Sequence, residues 1–262
     1  GIRPGYLDHA GALVAAGVDC ICVDVANGHN SHTLHAVAEL RTRFPDLIIM
    51  SGNICTLEGY KGMLAAGADC VRVGIGNGSI CTTRLETGVG FGQWSAMKEC
   101  ADYWFSHPDR GTLTKLICDG GTLGKTGNKV KALAIGAHAI MLGRTLASCE
   151  ESPGLVITRN GSRMKYFRGM ASTMANLSKQ ETSGVKRALD TDFTAEGVDG
   201  VVELKGSVAD VVSQVNGGLR SGLSYQGVRS IEELHACYNE ITWGLSTAIG
   251  LTETGTRIKN MV

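Results

Sequence analysis

Strand, loop and helix alternate five times along this chain, and three of the helices end in near-copies of one phrase: AAGVD at 15–19, AAGAD at 65–69 and AIGAH at 134–138. The expected strands are Val18–Ala26, Leu47–Asn53, Ala68–Gly74, Thr114–Asp119 and His138–Gly143. The expected helices are Asp8–Gly17, Ser31–Phe44, Leu57–Ala66, Trp94–Tyr103 and Thr126–Ile135. Short, nearly continuous apolar strands separated by helices and closed by glycines specify a right-handed parallel β/α fold. A doubly wound sheet and a (β/α)8 barrel both accommodate five such units. The polar and glycine-rich segments tip the balance, because Asp24-Val25-Ala26-Asn27-Gly28, Gly52-Asn53, Gly74 to Cys81, Asp119-Gly120-Gly121 and Gly143-Arg144 all fall at C-terminal strand ends. A barrel gathers such ends around one mouth, whereas an open sheet spreads them along an edge. The fold class expected is therefore α/β, a TIM (β/α)8 barrel. Five strands cannot close it, and the chain opens in a Gly/Pro turn without methionine, so 1–262 is expected to be the C-terminal part of one catalytic barrel whose N-terminal strands lie elsewhere.

The segment from Val73 to Arg84 reads as a strand running into a functional loop. Glycines at 74, 76 and 78 permit positive φ and close approach of a ligand or ion, and Cys81 follows beside Thr82 and Thr83. The plain alternative is a Gly-rich turn followed by a small buried thiol.

Composition narrows the partners. The 25 basic and 25 acidic residues cancel, so nothing in the overall charge favours nucleic acid. No apolar run approaches the ~18 residues of a membrane span, and no secretory leader opens the chain. Nine cysteines without a CxxC pair read as reduced thiols, which makes a cytoplasmic setting the expectation. Cys20 and Cys22, alternating on one strand face, are expected to be small core residues, and Cys55 and Cys70 packing thiols. His29, His32 and His35 share a helical face but have no acid or cysteine at ligand spacing, so surface histidines are expected. Trp94, Tyr103 and Trp104 are read as helix packing or subunit contact.

VGIGNGSICTTRLETGVGFGQ, together with DVANGH, CDGG, MLGR and MKYFRGM, resembles the family that contains IMP dehydrogenase and GMP reductase. The resemblance runs from about Gly17 to Leu234 and implies that the cysteine loop follows the sixth barrel strand. It implies that Cys81 attacks C2 of a purine nucleotide, with Thr83 as proton relay and Glu196 as the supporting carboxylate; taken alone, Glu196 would be a solvated loop acid. Ser79, Gly143 and Arg144 match positions that hold the 5′-phosphate, and Asp119 matches the acid that accepts the ribose hydroxyls, although a strand-end acid can equally cap a turn. Gly120, Gly121, Gly169, Met170, Ala171 and Gly197 complete the implied substrate set. The implied cofactor is NADPH, contacted by Asp24, Val25, Ala26, Ile75, Gly76, Ser221 and Ser224. The carbonyls of Gly76, Gly78 and Cys81 match those that coordinate a monovalent cation, potassium by resemblance.

Between the two activities, the residues lean to NADPH-dependent reductive deamination of GMP to IMP. No Arg-Tyr pair of the dehydrogenase type stands between Ala171 and Asp192, where the nearest match is Lys186-Arg187-Ala188-Leu189, and Asp24-Val25-Ala26-Asn27-Gly28 and Phe167 are reductase-like. Glu150-Glu151-Ser152-Pro153-Gly154, Arg168-Gly169-Met170 and Val198-Asp199-Gly200 look instead like a bacterial dehydrogenase. The alternatives are therefore IMP dehydrogenase with NAD, and a non-catalytic nucleotide-binding or assembly subunit. GMP and IMP are the expected ligands and a homotetramer the expected assembly, with Ser221 to Tyr225 reaching a neighbouring subunit.

After the last strand, Leu155–Arg168 is expected to be a hairpin turning at Asn160-Gly161, the finger of the family. Ala171–Asp192 reads as a flap, Ser207–Leu223 as a closing helix with a Gly-rich turn around Asn216-Gly217-Gly218, and Ile231–Glu240 as a short helix.

Overall fold

The computed structural model describes residues 1–122, 124–175 and 194–241. Five parallel strands, β1 (Cys20–Asp24), β2 (Ile48–Ile54), β3 (Cys70–Val73), β4 (Lys115–Asp119) and β5 (Ala139–Met141), pair strictly in chain order. A doubly wound sheet would reverse its strand order at a switch point. This one never does, and it is the arc of a (β/α)8 barrel wall.

Helices α1 (Tyr6–Ala15), α2 (Ser31–Arg43), α3 (Leu57–Ala65), α5 (Gln93–Ser106) and α6 (Thr126–Ala134) match the expected ones to within a few residues, and a short α4 (Thr83–Thr87) follows the cysteine loop. Local chemistry sets two of these starts: the side chains of Asn30 and Thr56 accept from the amides of Thr33 and Gly59, which would otherwise have no partner in the first turn. The core lies between helices and sheet. Ile21, Val23, Ile49, Val71, Val73, Leu116 and Cys118 point into it from alternate strand positions, against Val37, Leu40, Tyr60, Met63, Met97 and Trp104.

The opposite sheet face corrects one expectation. Cys20 and Cys22 occupy the strand positions that point away from the helices, so Cys20 is half-buried and Cys22 exposed, and neither joins the core. The nearly continuous apolar run of β1 hid which face the helices would cover. The same face carries Asp24, Arg72 and Asp119 toward the strand ends.

Beyond β5 come α7 (Arg144–Ala147) and the antiparallel strands β6 (Val156–Arg159), β7 (Ser162–Arg168) and β8 (Asp199–Glu203). Asn160 (φ 52°) and Gly161 (φ 79°) both adopt positive φ, the type I′ requirement that lets a two-residue turn follow the strand twist. Lys165 anchors the base of this finger, its ammonium donating to the carbonyls of Glu150, Ser152 and Gly154. Most of the expected flap, 176–192, lies outside the described residues.

Helix α8 (Val208–Tyr225) corrects a second expectation, because it runs unbroken through Asn216-Gly217-Gly218 where a turn was expected. Gly218 and Gly222 serve as packing positions: a Cβ would lie 2.4 Å from Thr126 Cγ2 at the first and 2.5 Å from Val130 Cγ2 at the second, both on α6. Helix α9 (Ile231–Ala236) and a 3-10 turn at Tyr238–Glu240 end the described chain. No described helix is long and apolar enough to cross a membrane.

Candidate active site

At the C-terminal ends of β1 to β5 opens a cavity of about 940 Å3. The cysteine loop enters it from β3 through Gly74, which at φ +139° leaves no space for a side chain, since a Cβ would stand 2.2 Å from the Asp119 carbonyl oxygen. The loop is then fastened to the segment before β8. Thr82 N donates to Glu196 O at 2.9 Å, Val198 N donates to Ile80 O at 3.0 Å, and Cys81 and Gly197 form an antiparallel bridge. Two stretches more than a hundred residues apart are thereby zipped together by backbone bonds.

This zipper aligns three side chains. Thr83 Oγ1 donates to Glu196 Oε2 at 2.9 Å and lies 3.2 Å from Cys81 Sγ. An ionised Glu196 is an acceptor only, so it takes the single Thr83 proton and leaves the Thr83 oxygen to accept from the thiol. The direction is thiol to hydroxyl to carboxylate. Thr83 is nearly buried, at 7% exposure, so this path is shielded from bulk water.

A second constellation spans the cavity floor. Arg72, from β3, places Nη1 2.6 Å from Asp24 Oδ1 and Nη2 2.7 Å from Asp119 Oδ2, and Asn53 Nδ2 donates to the same Asp119 oxygen at 2.8 Å. Burial opposes the Arg72 charge, but the two carboxylates more than offset it and hold the guanidinium above the ordinary arginine value. Asp119 is thus oriented by two donors, one from the adjacent β3 and one from β2 beyond it.

Of the residues singled out from sequence, Asp24, Val25, Ala26, Ile75, Gly76, Gly78, Ser79, Cys81, Thr83, Asp119, Gly120, Gly143, Arg144, Gly169, Met170, Ala171, Glu196 and Gly197 all line this one cavity. Gly121, Ser221 and Ser224 do not. Gly121 is exposed and donates its amide to Asn77 O at 2.9 Å, and the two serines are exposed on α8. Sequence reasoning missed Arg72 and Asn53 as electrostatic partners; the signal was a lone arginine in the otherwise apolar Cys70-Val71-Arg72-Val73. No group of three or more metal-ligating side chains occurs among the described residues, and His35 meets Glu39 one turn along α2, its Nε2 3.5 Å from Oε1.

A family model described as "IMP dehydrogenase / GMP reductase domain" matches residues 1–256. An inosine-5′-monophosphate dehydrogenase of Aquifex aeolicus is 45% identical over 239 residues, covering 90% of this chain and 48% of that protein. One of Nitrosopumilus maritimus is 40% identical over 237 residues, covering 89% of this chain and 48% of that protein. Among solved structures, a cysteine-to-alanine variant of GMP reductase from Trypanosoma brucei in complex with guanosine 5′-monophosphate superposes with a TM-score of 0.80 at 37% identity, over 94% of this chain and 51% of that one. The chain spans about half the length of the relatives it matches.

Proposed function

This chain belongs to the IMP dehydrogenase / GMP reductase family, and on that premise we propose that the protein containing it reduces GMP to IMP with release of ammonia through a covalent Cys81–purine adduct. The observation that carries the reading is the continuous line from Cys81 through Thr83 to Glu196, at 3.2 and 2.9 Å. Asp119, fixed by Arg72 and Asn53, orients the ribose, and Ser79 with the Gly143-Arg144 turn receives the phosphate. The Cys81 thiol gives up its proton toward Thr83 and Glu196 as sulfur attacks C2. The C2–amine bond then breaks, and Glu196, now protonated, returns the proton through Thr83 to the departing amine. A reduced nicotinamide bound in the same cavity would supply the hydride for C2, and the part of Cys81 is to leave as thiolate when the C2–S bond breaks. A cavity of about 940 Å3 lies at the upper end of ligand-site volumes, and Asp24, Val25, Ala26, Ile75 and Gly76 would hold the nicotinamide part of NADPH in it. The carbonyls of Gly76, Gly78 and Cys81 are the proposed ligands of a monovalent cation, and Ser221 and Ser224 the proposed contribution of a neighbouring copy in a homotetramer.

The reductive direction is supported by Phe167 in the cavity wall and by a 171–192 sequence without an Arg-Tyr pair. A second reading, oxidation of IMP to XMP with NAD, is favoured by the names of the sequence relatives at 40 and 45% identity. One assay on the full-length protein separates them: ammonia from GMP with NADPH, beside NADH from IMP with NAD. Steady ammonia release is expected; steady NADH with no ammonia would overturn the reductase reading.

A further inference from the structure

Gln93 stands at the start of α5, twelve positions beyond Cys81, and its side chain reaches back beneath the cysteine loop. Nε2 donates to Val73 O, where β3 ends, at 2.7 Å and to Cys118 Sγ of β4 at 3.2 Å, and Oε1 accepts from Asn77 Nδ2 at 2.6 Å. A primary amide has two N–H donors, and both are used. Burial raises the Cys118 thiol to about 11, so it stays neutral as an acceptor. Asn77 passes the connection on, because its carbonyl receives the Gly121 amide at 2.9 Å from the turn that follows Asp119.

The slot that holds Gln93 is cut from glycine. A Cβ at Gly74 would lie 2.4 Å from Gln93 Oε1, and one at Gly121 would lie 2.7 Å from Gln93 Cγ. Gly121 therefore has a use that does not involve touching a nucleotide: it makes room for the amide that ties the loop down.

We infer that Gln93 is a positioning residue, a strut that fixes the Cys81 loop against the ends of β3 and β4 and sets the distance between the nucleophile and Asp119. The inference rests on Cys81 as nucleophile, whichever direction the reaction runs. Displacing a reacting atom by about 1 Å costs on the order of 10²-fold in rate, which sets the effect expected when the strut is cut.

The test uses full-length protein carrying Gln93→Leu, Asn77→Leu and both together, read in three ways. Turnover of the active nucleotide should fall about 10²-fold in kcat in each single variant, with KM changed less than about tenfold. The double variant should be no slower than either single one, because both cut the same link. Alkylation of Cys81 by iodoacetamide, followed by peptide mass spectrometry, should accelerate at least several-fold and lose its protection by GMP, while exposed Cys22 reacts at its wild-type rate. That readout needs no turnover, so it survives if the reductase reading fails. Wild-type kcat in Gln93→Leu, additive losses in the double variant, or unchanged Cys81 alkylation accompanied by a lowered Tm would each overturn the strut. If Gln93→Leu does not fold, Asn77→Leu alone carries the same kinetic and alkylation criteria.

Discussion

Thr83 is the residue on which the chemistry turns, because it touches both the Cys81 sulfur and the Glu196 carboxylate. Replacing Glu196 by Gln keeps the shape but leaves no carboxyl to take and return the proton. Ammonia release from GMP should slow by ~10² to 10⁴, the usual worth of general acid-base assistance. The lesion should be lopsided, because adduct formation from IMP and NADP by reverse hydride transfer needs only the few per cent of thiolate that a cysteine supplies near pH 7, and no amine has to be protonated. Rapid-quench measurement of the two half-reactions checks this. Cys81→Ala should abolish turnover and leave GMP affinity within about tenfold, since the proposed ribose and phosphate contacts are made by Asp119, Ser79 and Arg144. Calorimetric titration of GMP into the alanine variant tests that figure, and any sustained reduction by the variant would exclude a covalent route. Arg72 illustrates how a residue can matter at a site without being readable as part of it. Its side chain does nothing recognisable until the strand register brings Asp24 and Asp119 to either side of its guanidinium.

At the scale of elements, α8 separates intrinsic preference from packing. Gly217 has open space around it, whereas a Cβ at Gly222 would stand only 2.5 Å from Val130 Cγ2, too close to fit without movement. Gly217→Ala should stabilise by about 0.5–1 kcal/mol, as helix propensity dictates. Gly222→Ala should destabilise, by about 1–3 kcal/mol, because the added methyl must push apart two helices that now touch. Urea unfolding of the two variants side by side gives the signs. This helix also marks the limit of what the sequence could disclose. Paired glycines weaken helices locally, so Asn216-Gly217-Gly218 reads as a turn; only the approach of α6 turns the glycines into contact surface. The five β/α units, by contrast, were legible to within a few residues, because their periodicity and glycine stops are local properties. So was the hairpin, since Asn160-Gly161 is a conformational requirement written in two residues. Membership of the cavity was legible where family motifs ran through strand ends. Gly121 does not line it, its neighbours being set by long-range packing, and Ser221 and Ser224, expected to reach a neighbouring copy, lie exposed on α8.

On the scale of the whole molecule, the end of the sheet opposite the cavity is held by an aromatic and imidazole cluster joining α5, β5 and α9. Trp104 meets His138 edge-on at 4.6 Å, His138 lies 5.1 Å from His235, and Phe105 stacks on Tyr238 at 3.9 Å. Burial, with His235 and Lys115 nearby, lowers His138 from its usual 6.5 to about 4, and burial likewise lowers His235. Both rings fold neutral and would have to be charged in acid. Their contribution is therefore present above about pH 6.5 and lost as pH falls toward 4, at most about 3 kcal/mol for His138 and less after solvent screening of a half-buried ring. Urea unfolding between pH 7.5 and 4.5 should display that slope, and His138→Phe should flatten it. Consecutive strand order, finally, makes folding a matter of short reach. Each parallel strand pairs with the one synthesised just before it, so a partner is already on the growing edge, and loop closure spans only the helical connection between consecutive strands. A nascent chain can lay down this wall one unit at a time as it leaves the ribosome. The bridge between Cys81 and Gly197, by contrast, must wait for a far later part of the chain, so the scaffold can assemble before the nucleophile meets its acid.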